Sequence, residues 1–454
     1  MIELLGLLQD SVWGMPVILL VAGTGLYLTI LLRGLQFRQL FRALKLALFQ
    51  RDEPDATGDI THFQALMTAL GTTVGTANVI GVVVALTAGG PGALFWMWVA
   101  GFAGMATKYS EAVLGVRFRE TDSRGEKTGG PMYYLENGIR WGRLGRGLAV
   151  TFALFASMAA FGFGNGVQSQ VIAQAVSNVT GFPMFGVGLV TAVLAGVVIF
   201  GGIKSIGRFA GVVIPIMLLV YVGVAMWIVI QHADAVPAAF RAIFEGAFSG
   251  RAAGGGIAGY TIGQALRSGL TQGVLSSESG FGTGGIPAAA ARTHEPVRQA
   301  LISMTQTFVD TIVVCTLTGL VLLTTGAWMS GADSASVAQL AFSASLPGSS
   351  GSWFIAITLS CFAFSTILGW AYYGERNLQY LAGPRVVIPY RLAFVLVIAV
   401  ASTAELDVMW RASELMSIMM AFPNLIGLAL LSGIVVRETR TYFNRPTNQP
   451  SKRR

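Results

Sequence analysis

Residues 71–81 read GTTVGTANVIG, and they lie inside an apolar run, residues 61–88, that is long enough to cross a bilayer. Glycine destabilises a helix by about 1 kcal/mol per residue relative to alanine, so the clustered glycines mark a place where this helix can unwind. Hydroxyl and amide side chains beside them add polar groups at membrane depth. Such irregular backbone survives in a bilayer only where it is buried in protein or lines a cavity. The stretch therefore predicts a broken transmembrane helix.

A second glycine-rich stretch, GGGIAGYTIG at residues 254–263, lies in the apolar run 253–275. These two runs are the second and the seventh of eleven predicted spans, so each comes first in one of two groups of five. Glycine-interrupted spans at matching positions are typical of secondary transporters built from inverted repeats. Close helix packing at small residues is the alternative interpretation. The predicted spans are residues 12–32, 61–88, 91–116, 147–176, 183–203, 209–231, 253–275, 297–326, 353–374, 388–404 and 412–436.

The composition excludes an ordinary soluble fold. Of the 454 residues, 54% are apolar and only 11% are charged, whereas soluble domains carry about 25% charged residues. We therefore predict an all-α polytopic membrane protein with a 5+5 inverted repeat in which spans 2 and 7 are broken. Its predicted parts are a peripheral first helix with a cytoplasmic connector (1–60), a first repeat (61–231), a second repeat (232–436) and a basic cytoplasmic tail (437–454).

The positions of the basic residues predict the orientation of the chain. If the C-terminus is cytoplasmic, 25 of the 30 Lys and Arg residues lie in cytoplasmic segments and three lie in external loops. The positive-inside rule then places the N-terminus outside. The absence of targeting features and the compact loops suit the cytoplasmic membrane of a prokaryote. The net charge of +8 thus needs no nucleic-acid partner. Without a GxxxxGK[ST] sequence or a cluster of His, Cys or paired carboxylates, we expect neither direct use of ATP nor an enzyme.

Residues 63–120 resemble the alanine/glycine:cation symporters of the amino-acid–polyamine–organocation superfamily. The same family pattern recurs at residues 255–262, 278–299, 308–321 and 362–377, in consistent order over nearly the whole chain. The resemblance implies the fold of the bacterial leucine transporter. It also implies Na⁺-coupled uptake of a small neutral amino acid such as alanine or glycine, with Na⁺ as coupling ion and no cofactor. Proton-coupled symport of another small neutral amino acid, for example serine or D-alanine, is the alternative.

The resemblance also implies a substrate site at the two helix breaks. Gln168 matches the family's GNxxQ pattern, and Trp370 matches its GW-YYGE pattern and would cap the pocket. Ordinary roles are the alternatives, because threonine hydroxyls often bond to their own helix and amides often join helices. The implied substrate-binding residues are Thr73, Gly75, Thr76, Asn78, Gln168, Ile257, Gly259 and Trp370.

The superfamily's fold further implies a Na⁺ site between the first broken helix and span 9. Its ligands would be the hydroxyls of Ser365 and Thr366 and the carbonyls of Val74 and Ala77. Hard neutral oxygens of this kind suit Na⁺, and the site has no titratable ligand, which favours Na⁺ over H⁺.

A charged residue inside a membrane span costs free energy, so it normally faces the helix bundle and has a partner. We predict a contact of Arg267 with Asp310 or with Glu278 that steadies or gates the cytoplasmic half of span 7. A purely structural pair is the alternative, and in a proton-coupled transporter Asp310 or Glu278 would carry the proton. Lys108 and Glu111 are predicted to be a snorkelling pair at one helical turn.

Two departures from the family pattern bear on the substrate. Ala77 replaces the glycine that is usual in VGTGN, and Ile257 replaces the aromatic residue that is usual in GGFAG. The methyl group of Ala77 would narrow the site, whereas the loss of the aromatic ring would widen another wall. The identity of the small neutral substrate therefore stays open at this point.

Overall fold

The computed structural model of the chain describes residues 15–50, 53, 55–248 and 261–444. Within these ranges almost all of the regular structure is helical. The helices are α1 Met15–Leu31, α2 Leu35–Phe49, α3 His62–Thr73, α4 Ile80–Gly89, α5 Gly92–Arg117, α6 Pro131–Gly138, α7 Gly142–Phe161, α8 Gln168–Thr180, α9 Met184–Ile199, α10 Gly202–Gln231, α11 Val236–Phe248, α12 Ile262–Ser277, α13 Gly285–Ala290, α14 Pro296–Thr307, α15 Thr316–Thr325, α16 Ser334–Ser343, α17 Ser350–Ala382, α18 Val387–Ala401 and α19 Leu406–Phe443.

Short irregular elements connect or interrupt these helices. A two-stranded antiparallel hairpin pairs β1 (Glu120–Thr121) with β2 (Lys127–Thr128), and Glu120 lies opposite Thr128. Two π-helical segments, Gly162–Val167 and Phe308–Cys315, join α7 to α8 and α14 to α15. Single 3₁₀ turns lie at Thr76–Asn78, Ala233–Ala235, Ala327–Met329 and Pro384–Val386.

The helices agree with the predicted spans. Among the described residues, six helices are long and apolar enough to cross a membrane, and the bent pairs α1/α2 and α3/α4 reach that length together. The remaining predicted spans correspond to α5, α9 and α12, of which α9 and α12 have 16 residues each. Only a third of the apolar window of α10 is buried inside the protein. Its remaining apolar surface suits contact with lipid, so the prediction of an all-α membrane protein is confirmed.

The predicted break in span 2 is confirmed. A capping box starts α3, in which the Gln64 N–H donates to Thr61 Oγ1 and the Thr61 N–H donates to Gln64 Oε1. The helix ends at Thr73, and after the 3₁₀ turn α4 continues at an angle of 63°. The Asn78 side chain holds the break, because its Oδ1 accepts the Gly75 N–H at 2.9 Å.

The glycine cluster at which span 7 is predicted to break lies almost entirely outside the described residues. A second capping box, Thr261 with Gln264, starts α12 at Ile262, so this helix begins nine residues later than the predicted span. The glycine-rich residues that precede it, 254–260, lie outside the described residues. At its other end α12 stops at Glu278, a non-glycine residue in the left-handed region with φ 50°.

Glycines also allow close packing of α12 against α5. A Cβ built on Gly269 would lie 2.2 Å from the Ala93 carbonyl oxygen, and one on Gly273 would lie 2.8 Å from Ala100 Cβ. Gly269 and Gly273 are one turn apart, as in small-xxx-small interfaces of membrane helices. In α12 the glycines therefore serve packing, whereas in span 2 they accompany a break.

Loops from both halves of the chain meet at the end of the bundle that the charge pattern predicts to be cytoplasmic. Ile60, just before α3, forms a parallel bridge with Ala291, just after α13. The Arg119 guanidinium donates to the carbonyl oxygens of Thr57, Ala289, Ala291 and Thr293. These hydrogen bonds join the loops of the two halves at this end of the bundle.

Candidate substrate and sodium site

Two of the predicted substrate-binding residues meet at the helix break. Thr76 Oγ1, in the 3₁₀ turn, donates to Gln168 Oε1 at 3.4 Å, and both side chains are buried. The π-helical segment Gly162–Val167 directly precedes Gln168, and Gln168 Nε2 donates to the Phe163 carbonyl at 3.2 Å. Single-turn π segments are frequent at functional sites. The backbone irregularity thus orients Gln168 towards the break.

Thr73 lies at the end of α3 and bonds mainly to its own helix. Its hydroxyl donates to the Ala69 carbonyl at 3.3 Å, which is the ordinary role for a membrane-helix threonine. It also accepts a hydrogen bond from Gln306 Nε2 at 3.2 Å. Gln306 Oε1 is buried and has no hydrogen-bond partner among the described residues. The sequence analysis missed Gln306, whose only signal was an amide within an apolar span.

Asn78 joins the break to a buried carboxylate. Its Nδ2 donates to Asp310 Oδ1 at 2.7 Å, and Thr311 Oγ1 donates to Asp310 Oδ2 at 2.8 Å. Asp310 belongs to the π-helical segment Phe308–Cys315 and is fully buried. The predicted contact of Asp310 with Arg267 is therefore wrong. Arg267 is exposed on an early turn of α12, whereas neutral donors surround Asp310.

The predicted contact of Arg267 with Glu278 is also wrong, because the two residues are too far apart along α12. Eleven residues separate them along α12, which corresponds to about 16 Å of helix axis. Glu278 is instead bound by two neutral donors: Trp370 Nε1 at 2.9 Å and Thr283 Oγ1 at 2.8 Å. Trp370 is fully buried and packs edge-on against Phe163. The structure thus places Trp370 between the end of α12 and the π segment that precedes Gln168.

The prediction that Lys108 and Glu111 snorkel to a membrane surface is wrong. Both side chains are fully buried, with Lys108 Nζ 4.0 Å from Glu111 Oε2. Lys108 donates to Thr283 Oγ1 at 2.9 Å. The Glu111 carboxylate accepts hydrogen bonds from the backbone N–H groups of Gly280, Gly282 and Gly284, in the glycine-rich segment after α12. It also accepts one from the Asn424 amide. The pair faces inwards because this segment supplies the partners that a membrane surface otherwise would.

The predicted sodium-binding hydroxyls, those of Ser365 and Thr366 on α17, lie beside the end of α3. Ser365 Oγ donates to the Gly71 carbonyl at 2.9 Å, and Thr366 Oγ1 lies 3.3 Å from the same oxygen and 3.4 Å from the Thr72 carbonyl. Both hydroxyls also reach the Phe362 carbonyl of their own helix. The hydroxyl pair therefore faces the last carbonyls of α3.

For the other predicted site residues, the structure gives burial or proximity but no hydrogen bond within the site. Val74 and Ala77, whose carbonyls are the other predicted sodium ligands, are buried in the break. Gly75 is close to the hydroxyl pair, because a Cβ built on it would lie 3.0 Å from Thr366 Oγ1. Ile257 and Gly259, predicted for the second break, lie outside the described residues.

Comparison with known proteins identifies relatives over the full length. A sequence model of the Sodium:alanine symporter family matches residues 1–454. The chain is 45% identical to the sodium/alanine symporter AgcS of Methanococcus maripaludis, over 97% of each chain. It is 32% identical to the probable sodium/glutamine symporter GlnT of Bacillus subtilis, over 97% of this chain and 90% of that relative.

Solved structures show the same fold. MhsT, solved in complex with L-phenylalanine, superimposes with a TM-score of 0.60 at 12% sequence identity, over 83% of this chain and 91% of MhsT. A manganese transporter of Eremococcus coleocola gives a TM-score of 0.51 at 14% identity, over 86% and 88%. At such identities the likeness shows the fold alone, and it confirms the predicted leucine-transporter architecture.

Proposed function

The chain belongs to the sodium:alanine symporter family, and on that premise we propose that it carries a small neutral amino acid into the cell together with Na⁺. Transport is by alternating access, without a cofactor or ATP. Residues 61–231 and 232–436 form the two inverted repeats, and the C-terminus is cytoplasmic. The observation that carries the proposal is the Ser365–Thr366 hydroxyl pair against the carbonyls at the end of α3. Hydroxyl and carbonyl oxygens are hard neutral ligands, which suit a small cation such as Na⁺.

The break next to this pair supplies groups for a zwitterion. Thr76 and Gln168 provide side-chain oxygens for an ammonium group, and the start of α4, which has no side-chain cap, suits a carboxylate. Trp370 closes the site beside Gly164, where a Cβ would lie 2.2 Å from Trp370 Cβ. This crowding, with the methyl group of Ala77, favours alanine or glycine over a larger amino acid.

The relatives differ in the substrate that their names state, so alanine needs a direct test. We expect purified protein in liposomes to accumulate radiolabelled L-alanine when an inward Na⁺ gradient is imposed. Unlabelled glycine should compete, and unlabelled glutamine should compete weakly. Accumulation should be lost in the Ser365→Ala/Thr366→Ala double variant. Equal uptake with and without Na⁺ would overturn the proposed coupling ion.

Proton coupling is the second candidate, and one observation favours it. Asp310 and Glu278 are fully buried carboxylates whose hydrogen-bond partners are neutral. Burying a charged carboxylate costs free energy, and neutral donors offset that cost less than a basic partner would. Uptake that ignores Na⁺ but stops with a protonophore would support this candidate. Uptake driven by Na⁺ in the presence of the protonophore would exclude it.

A further inference from the structure

A recess lies at the bend between α1 and α2, at the end of the bundle that the charge pattern predicts to be cytoplasmic. It holds about 770 Å³ of empty space, part of which is open, between this bend and the last turns of α19. Three arginines line it: Arg33 at the bend, Arg38 on α2 and Arg440 on α19. The recess takes no part in the site described above.

The three guanidinium groups of this recess lack an anionic partner within the described part of the chain. All three arginines are exposed, and their side chains form no hydrogen bond or ion pair with another described residue. The described residues that line the recess include no Asp or Glu. Glu438, two residues before Arg440, pairs instead with Arg117 at 3.2 Å. The recess therefore suits an anionic ligand, and guanidinium groups bind phosphate oxygens in paired hydrogen bonds.

Helix α2 has the features of a helix that lies along a membrane surface. It is bent by 83° from α1, so where α1 crosses the bilayer α2 runs nearly parallel to the membrane plane. Phe37 and Phe41, one turn apart, are 56% and 85% exposed. Arg38, Arg42 and Lys45 form an exposed basic stripe beside these rings. Helices with an apolar face and a basic face of this kind lie in the membrane interface and are attracted to anionic lipids.

The surroundings of the recess favour a phospholipid over a soluble anion. Leu31 and Leu35 line the recess together with the arginines. The Arg42 guanidinium joins α2 to the end of α19, because it donates to the Tyr442 hydroxyl at 3.4 Å and lies 5.3 Å from the centre of the Phe443 ring. A phospholipid meets both the basic and the apolar surface, whereas inorganic phosphate leaves the apolar surface uncovered. A zwitterionic headgroup would find no carboxylate for its ammonium group among the described lining residues.

We propose that this recess binds the headgroup of an anionic phospholipid from the leaflet on the predicted cytoplasmic side. The lipid phosphate lies between Arg33, Arg38 and Arg440, and the acyl chains run beside the exposed phenylalanine rings of α2. Basic pockets between membrane helices on the cytoplasmic side bind anionic headgroups in this way. The bound lipid bridges the bend between α1 and α2 to the end of α19. The proposal goes beyond the transport function, and its test needs no uptake.

The test is native mass spectrometry of the purified full-length protein in detergent, titrated with dioleoylphosphatidylglycerol or with dioleoylphosphatidylcholine. We expect the first phosphatidylglycerol to bind at least about tenfold more tightly than the first phosphatidylcholine, because each basic group near an anionic lipid adds to the affinity. The triple variant Arg33→Gln/Arg38→Gln/Arg440→Gln should lose this preference.

A second triple variant, Arg140→Gln/Arg143→Gln/Arg146→Gln, is the matched control. It removes the same charge from exposed positions around the start of α7, also on the predicted cytoplasmic side. We expect it to keep the preference for phosphatidylglycerol. An equal loss of preference in the two triple variants would overturn the proposal, because net charge rather than the recess would then attract the lipid.

A single variant keeps the proposal testable if the first triple variant does not fold. Gln39→Glu places a carboxylate in the recess with almost no change in volume. It should weaken the binding of phosphatidylglycerol at least about fivefold and leave that of phosphatidylcholine unchanged. Excess inorganic phosphate, added at constant ionic strength, should not displace phosphatidylglycerol. Displacement by phosphate would overturn the lipid as the occupant, and unchanged binding in Gln39→Glu would overturn the site.

Discussion

The indole N–H of Trp370 donates a hydrogen bond to the Glu278 carboxylate at 2.9 Å, and both side chains are buried. This bond joins the helix that carries Ser365 and Thr366 to the end of α12. Both α12 and α17 belong to the second of the two repeats proposed for this chain. The helix that carries the proposed ion ligands and the glycine-rich segment after α12 are therefore connected within one proposed repeat.

Replacing Trp370 with phenylalanine should destabilise the protein by about 1–3 kcal/mol, because a buried carboxylate loses a donor. Thermal unfolding in detergent measures the change, and Na⁺-driven uptake should fall with it. Trp353→Phe is the matched control, since Trp353 lies on the same helix but is 44% exposed. A Trp370→Phe protein as stable as Trp353→Phe would show that the hydrogen bond contributes nothing measurable.

Removing one of the proposed sodium ligands should raise the Na⁺ concentration that uptake requires. For Thr366→Val we expect the Na⁺ concentration at half-maximal uptake to rise about tenfold, which corresponds to about 1.4 kcal/mol. Valine keeps the volume and shape of threonine, so the packing around α3 is preserved. Thr358→Val, two turns earlier on α17 and also buried, should leave the Na⁺ dependence unchanged. Equal shifts in both variants would argue against an ion site at Thr366.

At Gly369, α17 approaches Thr72 of α3 so closely that a side chain at position 369 would clash. A Cβ on Gly369 would lie 2.1 Å from Thr72 Cγ2, so α17 and α3 would have to separate. Overpacking of this kind costs about 1–3 kcal/mol. Gly369→Ala should therefore lower the unfolding temperature and reduce uptake. Gly223→Ala, on α10 with no atom within 4 Å of the added carbon, should be neutral or slightly stabilising. Similar behaviour of the two variants would contradict the close approach.

The carboxyl of Glu53, in the loop before α3, should make the stability of the protein depend on pH. Burial raises the pKa of its carboxyl, but hydrogen bonds with His62 and the His294 N–H and the charge of Arg298 outweigh this and lower the pKa from 4.5 to about 2. A lowered pKa means that the charged group stabilises the fold above pH 4.5. That contribution is lost as the pH falls towards 2.

Glu53→Gln should accordingly destabilise the protein at pH 7 by about 1 kcal/mol, a value reduced by partial solvent screening. The difference from wild type should shrink as the pH falls below 4.5 and should be lost near pH 2. Unfolding curves over this range measure it, with Glu405→Gln at an exposed position as the control. A difference that stays constant with pH would exclude the ion pair as its cause.

Composition and local pattern were enough to predict the membrane class, the all-α fold and the break in span 2. Each is decided by neighbours in the chain: apolar length sets which segments enter the bilayer, and clustered glycines with Asn78 decide where α3 ends. The resemblance of residues 63–120 predicted the family, and the comparisons confirm it. The roles assigned to Thr73, Gly75, Thr76, Gln168 and the other site residues remain predictions.

Only the tertiary structure decided which groups meet. Opposite charge suggested Arg267 as the partner of Asp310, but helix α12 turns Arg267 outwards and Asn78 takes its place. Spacing suggested that Lys108 would snorkel, yet it donates to the Thr283 side chain, and backbone N–H groups of the glycine-rich segment after α12 donate to Glu111. Partners of this kind depend on how helices pack, which no local pattern of residues encodes.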